Sequence, residues 1–425
     1  MIRIFDKNEI RPEEILFRDN SATGVEAAVS DIINNVRTRG DAALMEYCAK
    51  FDGGAPESLE VSAEEIEAAY SSIDPEFIAI LEEAAENIRA FHSLQKRDGF
   101  SFAPGDGKVL GQKVIPLNRV GLYIPGGTAC YPSTVLMNCI PAKIAGVNEV
   151  CIVSPAKNGY INPVILAAAK IAGADRIFRI GGAQAVAALA YGTESVPRVD
   201  KITGPGNVFV AEAKRQVFGL VDIDMIAGPS EILVIADENT NAAWCAADLL
   251  SQAEHDKNAA SVLVTNSREL AVAVQNEIEK QLYELPREDI ARVSIDQRGR
   301  IIIVDSIAQA IEIANAIAPE HLELCVDEPF EYLDSIRCAG SIFLGRSCPE
   351  ALGDYFAGPN HTLPTGGSAR FSSPLSVDDF VKKSQFIYYT QDALSTVSKK
   401  IVTFARREGL QGHGRSVSIR LEGEK

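Results

Sequence analysis

Residues 150–192, VCIVSPAKNGYINPVILAAAKIAGADRIFRIGGAQAVAALAYG, alternate between two kinds of apolar segment. Short apolar runs at 150–155 and 176–181 have the length and the β-branched content of buried strands. Between and after them, residues 161–174 and 182–192 show the longer apolar pattern of packed helices. Strands that alternate with helices in this way predict an α/β fold with largely parallel sheets.

The same alternation extends through most of the chain. It continues as a strand into a turn at 201–206 and a helix at 208–219, and a second series starts at residue 230. The second series is predicted to contain strands at 230–237, 261–267 and 300–305, and helices at 241–256, 268–285 and up to about 317. Two series of this kind predict two Rossmann-like parallel-sheet units.

Helical patterns flank the two series. The capping box SAEE at 62–65 and the apolar period of 74–92 indicate helices near the N-terminus, and 377–386 and 392–409 look like a helical tail. The fold class is therefore α/β, with two Rossmann-like units, an N-terminal helical segment and a small C-terminal helical tail. The predicted boundaries are 1–19 for the N-terminal segment, 20–119 with 233–375 for the first Rossmann-like domain and its helical extension, 120–232 for the second, and 376–425 for the tail.

Composition excludes several classes of function. The chain has 425 residues and a net charge of −17, and no stripe of Lys and Arg is present, so it is a poor candidate for nucleic-acid binding. The N-terminus lacks the apolar core of a signal peptide, and no apolar run reaches the roughly 20 residues that span a bilayer. Eight cysteines occur singly, without a CxxC pair, which indicates reduced thiols. We expect a cytoplasmic protein that binds neither nucleic acid nor membranes.

Two polar motifs of the second series carry candidate chemistry. In LLSQAEHD (249–256), Gln252 and His255 are three residues apart and share one helix face, as a metal or substrate site requires. An ordinary polar C-terminal turn would look the same. In APEHLE (318–323), Pro319 ends a helix and leaves Glu320 and His321 in a loop before a strand. Histidine is a base near neutral pH and glutamate can activate water, although a solvated loop pair is the alternative.

Two further motifs lie near the C-terminus. The glycine-rich stretch LGDYFAGPNHTLPTGGSARF contains Asp354 and His361, and REGLQGHGRSV contains Glu408 and His413. A surface loop and a frayed tail are the plain alternatives. Taken with the two motifs above, these side chains form a nitrogen and oxygen donor set without thiolate, which suits Zn²⁺ in a substrate site or Mn²⁺ and similar ions.

Glycine-rich turns follow the strands of the first series. They are GLYIPGG (121–127), GGAQAV (181–186) and TGPGN (203–207). Nucleotides bind at such strand ends in open α/β sheets, but none of these turns has the GxGxxG pattern of dinucleotide-binding proteins. By themselves they are weak support for a cofactor.

Nine motifs, in this order, resemble the histidinol dehydrogenase family from about residue 20 to the end. They are RVGLYIPGG, YPSTVLMNCIPAKIAGV, GGAQAVAALAYGT, KITGPGN, AGPSEILVIAD, LLSQAEHD, APEHLE, GDYFAGPNHTLPT and EGLQGHGRSV. The resemblance implies an enzyme that oxidises L-histidinol to L-histidine in two steps, with two NAD⁺ and one bound Zn²⁺ per subunit. This reaction is the last step of histidine biosynthesis.

The resemblance also implies roles for individual residues. The implied zinc ligands are Gln252, His255, Asp354 and His413, and the implied acid/base pair is Glu320 and His321. Substrate contacts are implied for Ser230, His361, Glu408, His321 and the four zinc ligands. The implied NAD⁺ contacts are Tyr123, Gln184 and Asn207. The family forms a homodimer in which the C-terminal segment reaches the partner's active site, so Glu408 and His413 would serve the neighbouring subunit.

A mechanism follows from these roles. His321 would take the hydroxyl proton in the first oxidation, and Glu320 would activate water for attack on the aldehyde. Three alternatives remain open from the sequence. A relative on the same scaffold could oxidise another alcohol to an acid, although His361 and Glu408 match the histidinol pattern. A zinc-dependent hydrolase would leave Tyr123, Gln184 and Asn207 without a purpose. An inactive scaffold protein would not need the full set of site residues.

Overall fold

The computed structural model describes residues 1–16, 24–126 and 130–422. The domain boundary predicted at residue 20 and the last glycine of GLYIPGG lie outside the described residues. The described chain divides into two compact units. The first unit comprises 1–95 and 117–380, and the second comprises 96–116 and 381–425. The domain boundaries predicted from the sequence stay predictions.

The N-terminal part of the first unit is mainly helical. Its elements are β1 (Arg3–Asp6), α1 (Pro12–Ile15), α2 (Glu26–Arg39), α3 (Asp41–Phe51), α4 (Ala63–Ser72) and α5 (Pro75–Ser93). The predicted caps are present. Ser62 forms a capping box with Glu65, and Asp74 accepts a hydrogen bond from the Glu76 N–H ahead of α5. Two strands of the second unit follow, β2 (Phe100–Phe102) and β3 (Lys108–Pro116).

The middle of the chain forms a five-stranded parallel sheet with its connecting helices. The elements are β4 (Arg119–Tyr123), α6 (Pro132–Ala145), β5 (Glu149–Val153), α7 (Pro163–Ala172), β6 (Arg176–Phe178), α8 (Gly182–Tyr191), β7 (Lys201–Thr203), α9 (Val208–Val217) and β8 (Asp222–Ile223). The strand order is β6-β5-β4-β7-β8. This is the doubly wound order, and its switch point lies between β4 and β7.

The next part of the chain repeats this topology. Its elements are β9 (Glu231–Ala236), α10 (Ala242–Ala253), β10 (Ala260–Thr265), α11 (Arg268–Leu282), α12 (Glu288–Arg298), β11 (Arg300–Ile303), α13 (Ile307–Ile317), β12 (His321–Cys325), β13 (Ser341–Leu344) and α14 (Glu350–Tyr355). The six-stranded parallel sheet has the order β1-β11-β10-β9-β12-β13. Apart from β1 at its edge, the order is that of the five-stranded sheet, which confirms two Rossmann-like units.

The apolar runs of the sequence form the sheet cores. Every residue of β9 and β10 is buried, because helices cover both faces of the sheet. All eight cysteines are free thiols, as expected. Among the helices of the described residues, none has both the length and the apolar character needed to cross a membrane.

The helix predicted at the start of the C-terminal tail is wrong. Residues 377–386 were expected to be helical, but a short 3₁₀ helix (Val377–Phe380) is followed by the strand β14 (Val381–Tyr389). β14 pairs with β3 over nine residues in an antiparallel sheet that also contains β2. The aromatic and β-branched residues of this stretch favour a strand once a partner is available. The predicted second helix is present as α15 (Gln391–Arg407), and α16 (Gln411–Ser418) follows it.

Candidate active site

The candidate site lies at the amino edge of the six-stranded sheet. His321 is the first residue of β12, and Glu231 is the first residue of the neighbouring β9. α10 returns to this edge, and Gln252 lies in its last turn. The prediction that His321 lies in a loop is therefore wrong. It pairs in register with Ile232 on one side and Ser341 on the other, and these partners are distant in sequence.

The turn before β12 fixes Glu320 and His321. Ala318 has a left-handed backbone with φ of 52° and ends α13, as expected of a residue that Pro319 keeps out of the helical region. The backbone of Gly340 packs so closely that an added Cβ would lie 2.5 Å from the Glu320 carbonyl oxygen. The Ser341 N–H donates to that oxygen at 2.9 Å. A strained turn held by the next strand is typical of a functional site.

His321 is a buried, neutral base. Its Nδ1 atom lies 3.0 Å from the carbonyl oxygen of Glu231. Because a carbonyl oxygen can only accept, Nδ1 carries the ring hydrogen and Nε2 carries the lone pair. Burial lowers the pKa of His321, although the Asp354 carboxylate opposes this shift. The imidazole is therefore available to take a proton at Nε2.

Glu320 is a buried carboxyl group beside this base. Its Oε2 atom accepts the Glu231 N–H at 2.9 Å and lies 3.7 Å from His321 Nδ1. Burial raises the pKa of Glu320 well above its usual range, although the hydrogen bond from the Glu231 N–H opposes this shift. A carboxylate with a raised pKa is a strong base once it has lost its proton.

Two acidic side chains of α14 face His321. Its Nε2 atom lies 3.7 Å from Glu350 Oε1 and 3.9 Å from Asp354 Oδ1. Within the described residues, His321 Nε2 and Glu350 Oε1 are buried and have no hydrogen-bond partner. Burial raises the pKa of Glu350 to about 10, with Asp354 as the next cause. Unpartnered atoms that converge at this distance leave room for a further bound atom between them.

Gln252 and His255 flank the same point. The amide nitrogen of Gln252 lies 3.0 Å from His321 Nδ1. Since that nitrogen already carries a hydrogen, the amide fits better with its oxygen towards the ring, after a half-turn of its last side-chain bond. An amide oxygen has two lone pairs and can still face a cation. Burial lowers the pKa of His255, and the nearby Asp354 carboxylate opposes this shift.

His361 joins the site through Asp354. Its Nδ1 atom lies 3.0 Å from the Asp354 carbonyl oxygen, and its Nε2 atom lies 3.3 Å from Thr134 Oγ1. The same carbonyl argument assigns the hydrogen to Nδ1. Ser230 is half-buried and directly precedes Glu231, whose main chain binds both Glu320 and His321.

The assembled donors fit a divalent cation. One nitrogen or oxygen atom from each of His321, Glu350 and Asp354 lies within 4.8 Å of the other two. Imidazole, carboxylate and amide groups suit Zn²⁺ or Mn²⁺, and the orphaned Glu350 oxygen is a further donor at the same point. Of the predicted ligands, Gln252 and Asp354 both lie close to His321. Glu408 and His413 belong to the second unit, and their roles stay predictions.

The predicted NAD⁺ contacts lie at the carboxyl edge of the five-stranded sheet. Tyr123 ends β4, and its hydroxyl oxygen accepts the Gly182 N–H at 3.0 Å. Gln184 is buried in the first turn of α8, and Asn207 caps α9 by accepting the Phe209 and Val210 N–H groups. In doubly wound sheets, nucleotides bind at the switch point between such strands. The contacts themselves stay predictions.

Sequence reasoning missed Glu350, Glu231 and Thr134. Glu350 was detectable, because it lies four residues before Asp354 and therefore on the same face of one helix turn. Glu231 contributes through its main chain, and Thr134 comes from a helix of the other sheet. No local pattern reveals contributions of these two kinds.

The two doubly wound sheets, with the buried Glu320 and His321 side chains beside nitrogen and oxygen donors, fit an α/β enzyme. The histidinol dehydrogenase family model matches residues 17–421. The chain belongs to the histidinol dehydrogenase family and is an enzyme of histidine biosynthesis.

Individual members of the family are similar to this chain over nearly its whole length. The histidinol dehydrogenase of Syntrophotalea carbinolica is 59% identical over 401 residues, which cover 94% of this chain and 93% of the relative. That of Clostridium acetobutylicum is 55% identical over 93% of this chain and 92% of its own. The crystal structure of the Elizabethkingia anophelis histidinol dehydrogenase has a TM-score of 0.94 and 38% identity, and the match covers 99% of this chain and 98% of that one.

Proposed function

We propose that this enzyme oxidises L-histidinol to L-histidine through L-histidinal, with two NAD⁺ consumed per turnover and one Zn²⁺ per subunit. The observation that carries the proposal is the neutral His321 imidazole, with its free Nε2 atom directed at an unpartnered Glu350 oxygen. A buried base of this kind is suited to taking a proton from an alcohol.

The metal would be held by Gln252, His255 and Asp354, with His413 contributed by a second copy of the chain. A bound Zn²⁺ supplies a fixed positive charge that can orient an amine and an imidazole without changing its own oxidation state. L-Histidinol carries both groups. Ser230, His361 and Glu408 would complete the substrate contacts. The rings of His321 and His361, each fixed by a backbone carbonyl oxygen, would hold L-histidinol in one orientation.

Proton transfer would be divided between two neighbouring side chains. His321 would take the hydroxyl proton at Nε2 during the first oxidation, while its Nδ1–H stays bound to the Glu231 carbonyl. Glu320, once deprotonated, would then activate a water molecule for attack on the aldehyde. The hydrated aldehyde is an alcohol again, so a second oxidation gives the carboxylic acid.

The oxidant would bind at the switch point of the five-stranded sheet. NAD⁺ supplies the two-electron acceptor for each oxidation. Tyr123, Gln184 and Asn207 are the residues that would bind it, and all three lie where β4, α8 and α9 meet the carboxyl edge. Sharing of Glu408 and His413 between two chains would make the enzyme a homodimer with composite active sites.

The stoichiometry of NADH tests the proposal. The purified enzyme is mixed with excess NAD⁺ and limiting L-histidinol, NADH absorbance is followed to completion, and the measurement is repeated after chelation and after addition of Zn²⁺. We expect two NADH per L-histidinol, loss on chelation and recovery with Zn²⁺. One NADH would show that the aldehyde is released. No NADH would favour another alcohol as the substrate on the same scaffold.

A further inference from the structure

A chain of buried side-chain hydrogen bonds connects the cofactor edge of the five-stranded sheet with the loop that carries His361. Thr203 is the last residue of β7, and its hydroxyl donates to Asn138 Oδ1 at 2.9 Å. Asn138 lies on α6, and its Nδ2 atom donates to Thr362 Oγ1 at 3.1 Å. One side chain therefore spans from the strand at the switch point to the residue next to His361.

The Asn138 amide has no freedom to rearrange. It is fully buried, and its second N–H donates to the Thr134 carbonyl oxygen at 3.0 Å. Because that oxygen can only accept, the amide nitrogen must face it, and the amide oxygen must face Thr203. Both N–H groups of the amide and one lone pair of its oxygen are used. A buried polar group satisfied on every side specifies one arrangement of its neighbours.

A proline in α6 provides a second attachment for the same loop. Pro141 has no N–H, so the Met137 carbonyl oxygen four residues earlier lacks its helical partner. Asn360 Nδ2 donates to this oxygen at 2.6 Å, and Asn360 Oδ1 accepts the Thr362 N–H at 2.8 Å. The residues on both sides of His361 are thus bound to α6.

The His361 ring is oriented by the same helix. Thr134 lies one turn before Asn138, and its hydroxyl oxygen is 3.3 Å from His361 Nε2. The opposite ring nitrogen faces the Asp354 carbonyl oxygen at 3.0 Å. α6 therefore carries the contacts that place His361 relative to Thr203 and the turn that follows it.

We propose that Asn138 is a positioning residue that sets the register between the cofactor edge and the substrate-contacting His361 loop. The inference rests on the proposed function, in which a hydride passes from the substrate to NAD⁺. Hydride transfer requires the reacting carbons at about 3–3.5 Å, and a misplacement of about 1 Å costs roughly a hundredfold in rate. Among the described residues, Asn138 hydrogen-bonds to Thr203, Thr134 and Thr362, and it acts on the reaction through them.

The test removes single hydrogen bonds from the series that connects Thr203, Asn138 and Thr362. Thr203→Val and Thr362→Val each delete one hydroxyl and keep the side-chain shape, and Asn138→Ser removes the connection itself. We expect kcat for L-histidinol oxidation to fall about tenfold or more in each variant, while KM for L-histidinol and for NAD⁺ stays within about threefold. The double variant Thr203→Val/Thr362→Val should lose about as much as one single variant, because both break one connection.

A matched control separates positioning from stability. Thr265→Val removes a fully buried hydroxyl of the six-stranded sheet, which accepts the Ser267 N–H and lies outside this chain of bonds. Circular dichroism gives the folded fraction of every variant, so that kcat is expressed per folded enzyme. The control should keep kcat, although it loses a comparable hydrogen bond.

Three outcomes would overturn the inference. They are unchanged kcat per folded enzyme in the Thr203 and Thr362 variants, additive losses in the double variant, or an equal loss of kcat in the Thr265→Val control. Failure of wild-type enzyme to oxidise L-histidinol would overturn the proposed function and the inference together. An active wild type with any of the three outcomes overturns the inference alone. If Asn138→Ser does not fold, the two valine variants decide the test.

Discussion

The Nδ1 atom of His321 lies 3.0 Å from the backbone carbonyl oxygen of Glu231. A carbonyl oxygen cannot donate, so this contact determines which ring nitrogen carries the hydrogen and leaves the lone pair on Nε2. Since Glu231 also donates its N–H to Glu320, one residue of β9 orients both members of the proposed acid/base pair. The carbonyl of a strand residue therefore determines which nitrogen can act as the base.

Replacement of this base should abolish the first oxidation. We expect His321→Asn to lower kcat for L-histidinol by about a thousandfold, because a positioned general base contributes roughly a hundred- to ten-thousandfold. Initial NADH formation measures this loss. Glu212→Gln, a change at a buried glutamate of α9, is the control. Comparable activity of the two variants would rule out His321 as the base.

Removal of the Glu320 carboxylate should separate the two oxidations. Glu320→Gln cannot activate water but leaves His321 Nε2 in place, so the reaction should stop near one NADH per L-histidinol. With L-histidinal as the substrate, we expect a loss of about a hundredfold or more. Glu212→Gln, a change at a buried glutamate of α9, should keep two NADH. Equal loss of both steps in Glu320→Gln would contradict the separate roles.

Glu350 should contribute to cation affinity. Its unpartnered oxygen faces His321 across 3.7 Å, and Asp354 lies in the same cluster. Glu350→Gln keeps the shape of the acid but cannot provide an anion when a cation binds, so we expect Zn²⁺ affinity to fall about tenfold. Competition with a coloured chelator measures this without any enzymatic assay. Unchanged affinity, equal to that of Glu212→Gln, would remove Glu350 from the metal site.

The sequence predicted the sheets better than the site. Long apolar runs made β9 and α10 recognisable, because buried parallel strands and their helices carry strong local patterns. β14 was missed because its partner β3 is remote in sequence, and pairing decided between helix and strand. The loop prediction for His321 fails for the same reason, because its strand partners Ile232 and Ser341 are remote in sequence. The edge of the sheet at which the acid/base pair lies depends on topology, which no local window contains.

The identity of the site residues came from motifs more than from spacing. Gln252 and His255 look like any polar helix end until Asp354 and His361 are seen beside them. Side chains that come together from α10, β12, α14 and the loop around His361 leave no periodic signal in the sequence. Glu350 is the exception, since its spacing of four residues from Asp354 is a helical signal in the sequence.

Asp52 should make stability depend on pH. Its Oδ2 atom is buried without a partner within the described residues, and burial raises the pKa of Asp52 to about 6, against a partial lowering by the Cys48 thiol. The folded state therefore holds this proton more strongly than the unfolded state. The associated stability is complete below about pH 4, falls as the pH rises towards 6, and stays low above it.

Asp52→Asn removes this dependence. We expect the variant to be more stable than the wild type by about 1 kcal/mol at pH 7.5, after allowance for solvent screening of a half-buried side chain, and the advantage to shrink towards pH 4.5. Urea unfolding at the two pH values measures the difference. Asp31→Asn makes the same change on the exposed surface of α2 and should not reproduce the trend. A constant difference at both pH values would contradict the ionisation argument.

Arg346 closes the switch point of the six-stranded sheet. Its guanidinium donates to Asp237, which follows β9, and to Asp327, which follows β12, and its Nε–H donates to Thr240 at 3.1 Å. The corresponding crevice of the five-stranded sheet is the predicted cofactor site. Because ion pairs fill one crevice, calorimetric titration should find a single NAD⁺ site per chain.

Removal of Arg346 should reduce stability more than removal of an exposed arginine. Arg346→Met leaves Asp237, whose side chain is only 11% exposed, without its charge partner, and we expect unfolding to be easier by about 2 kcal/mol. Arg268→Met breaks a pair with Asp6 in which both side chains are about half exposed, and it should cost less than about 1 kcal/mol. Urea unfolding of the two variants measures the difference, and equal losses would show that the Arg346 pairs are screened like surface pairs.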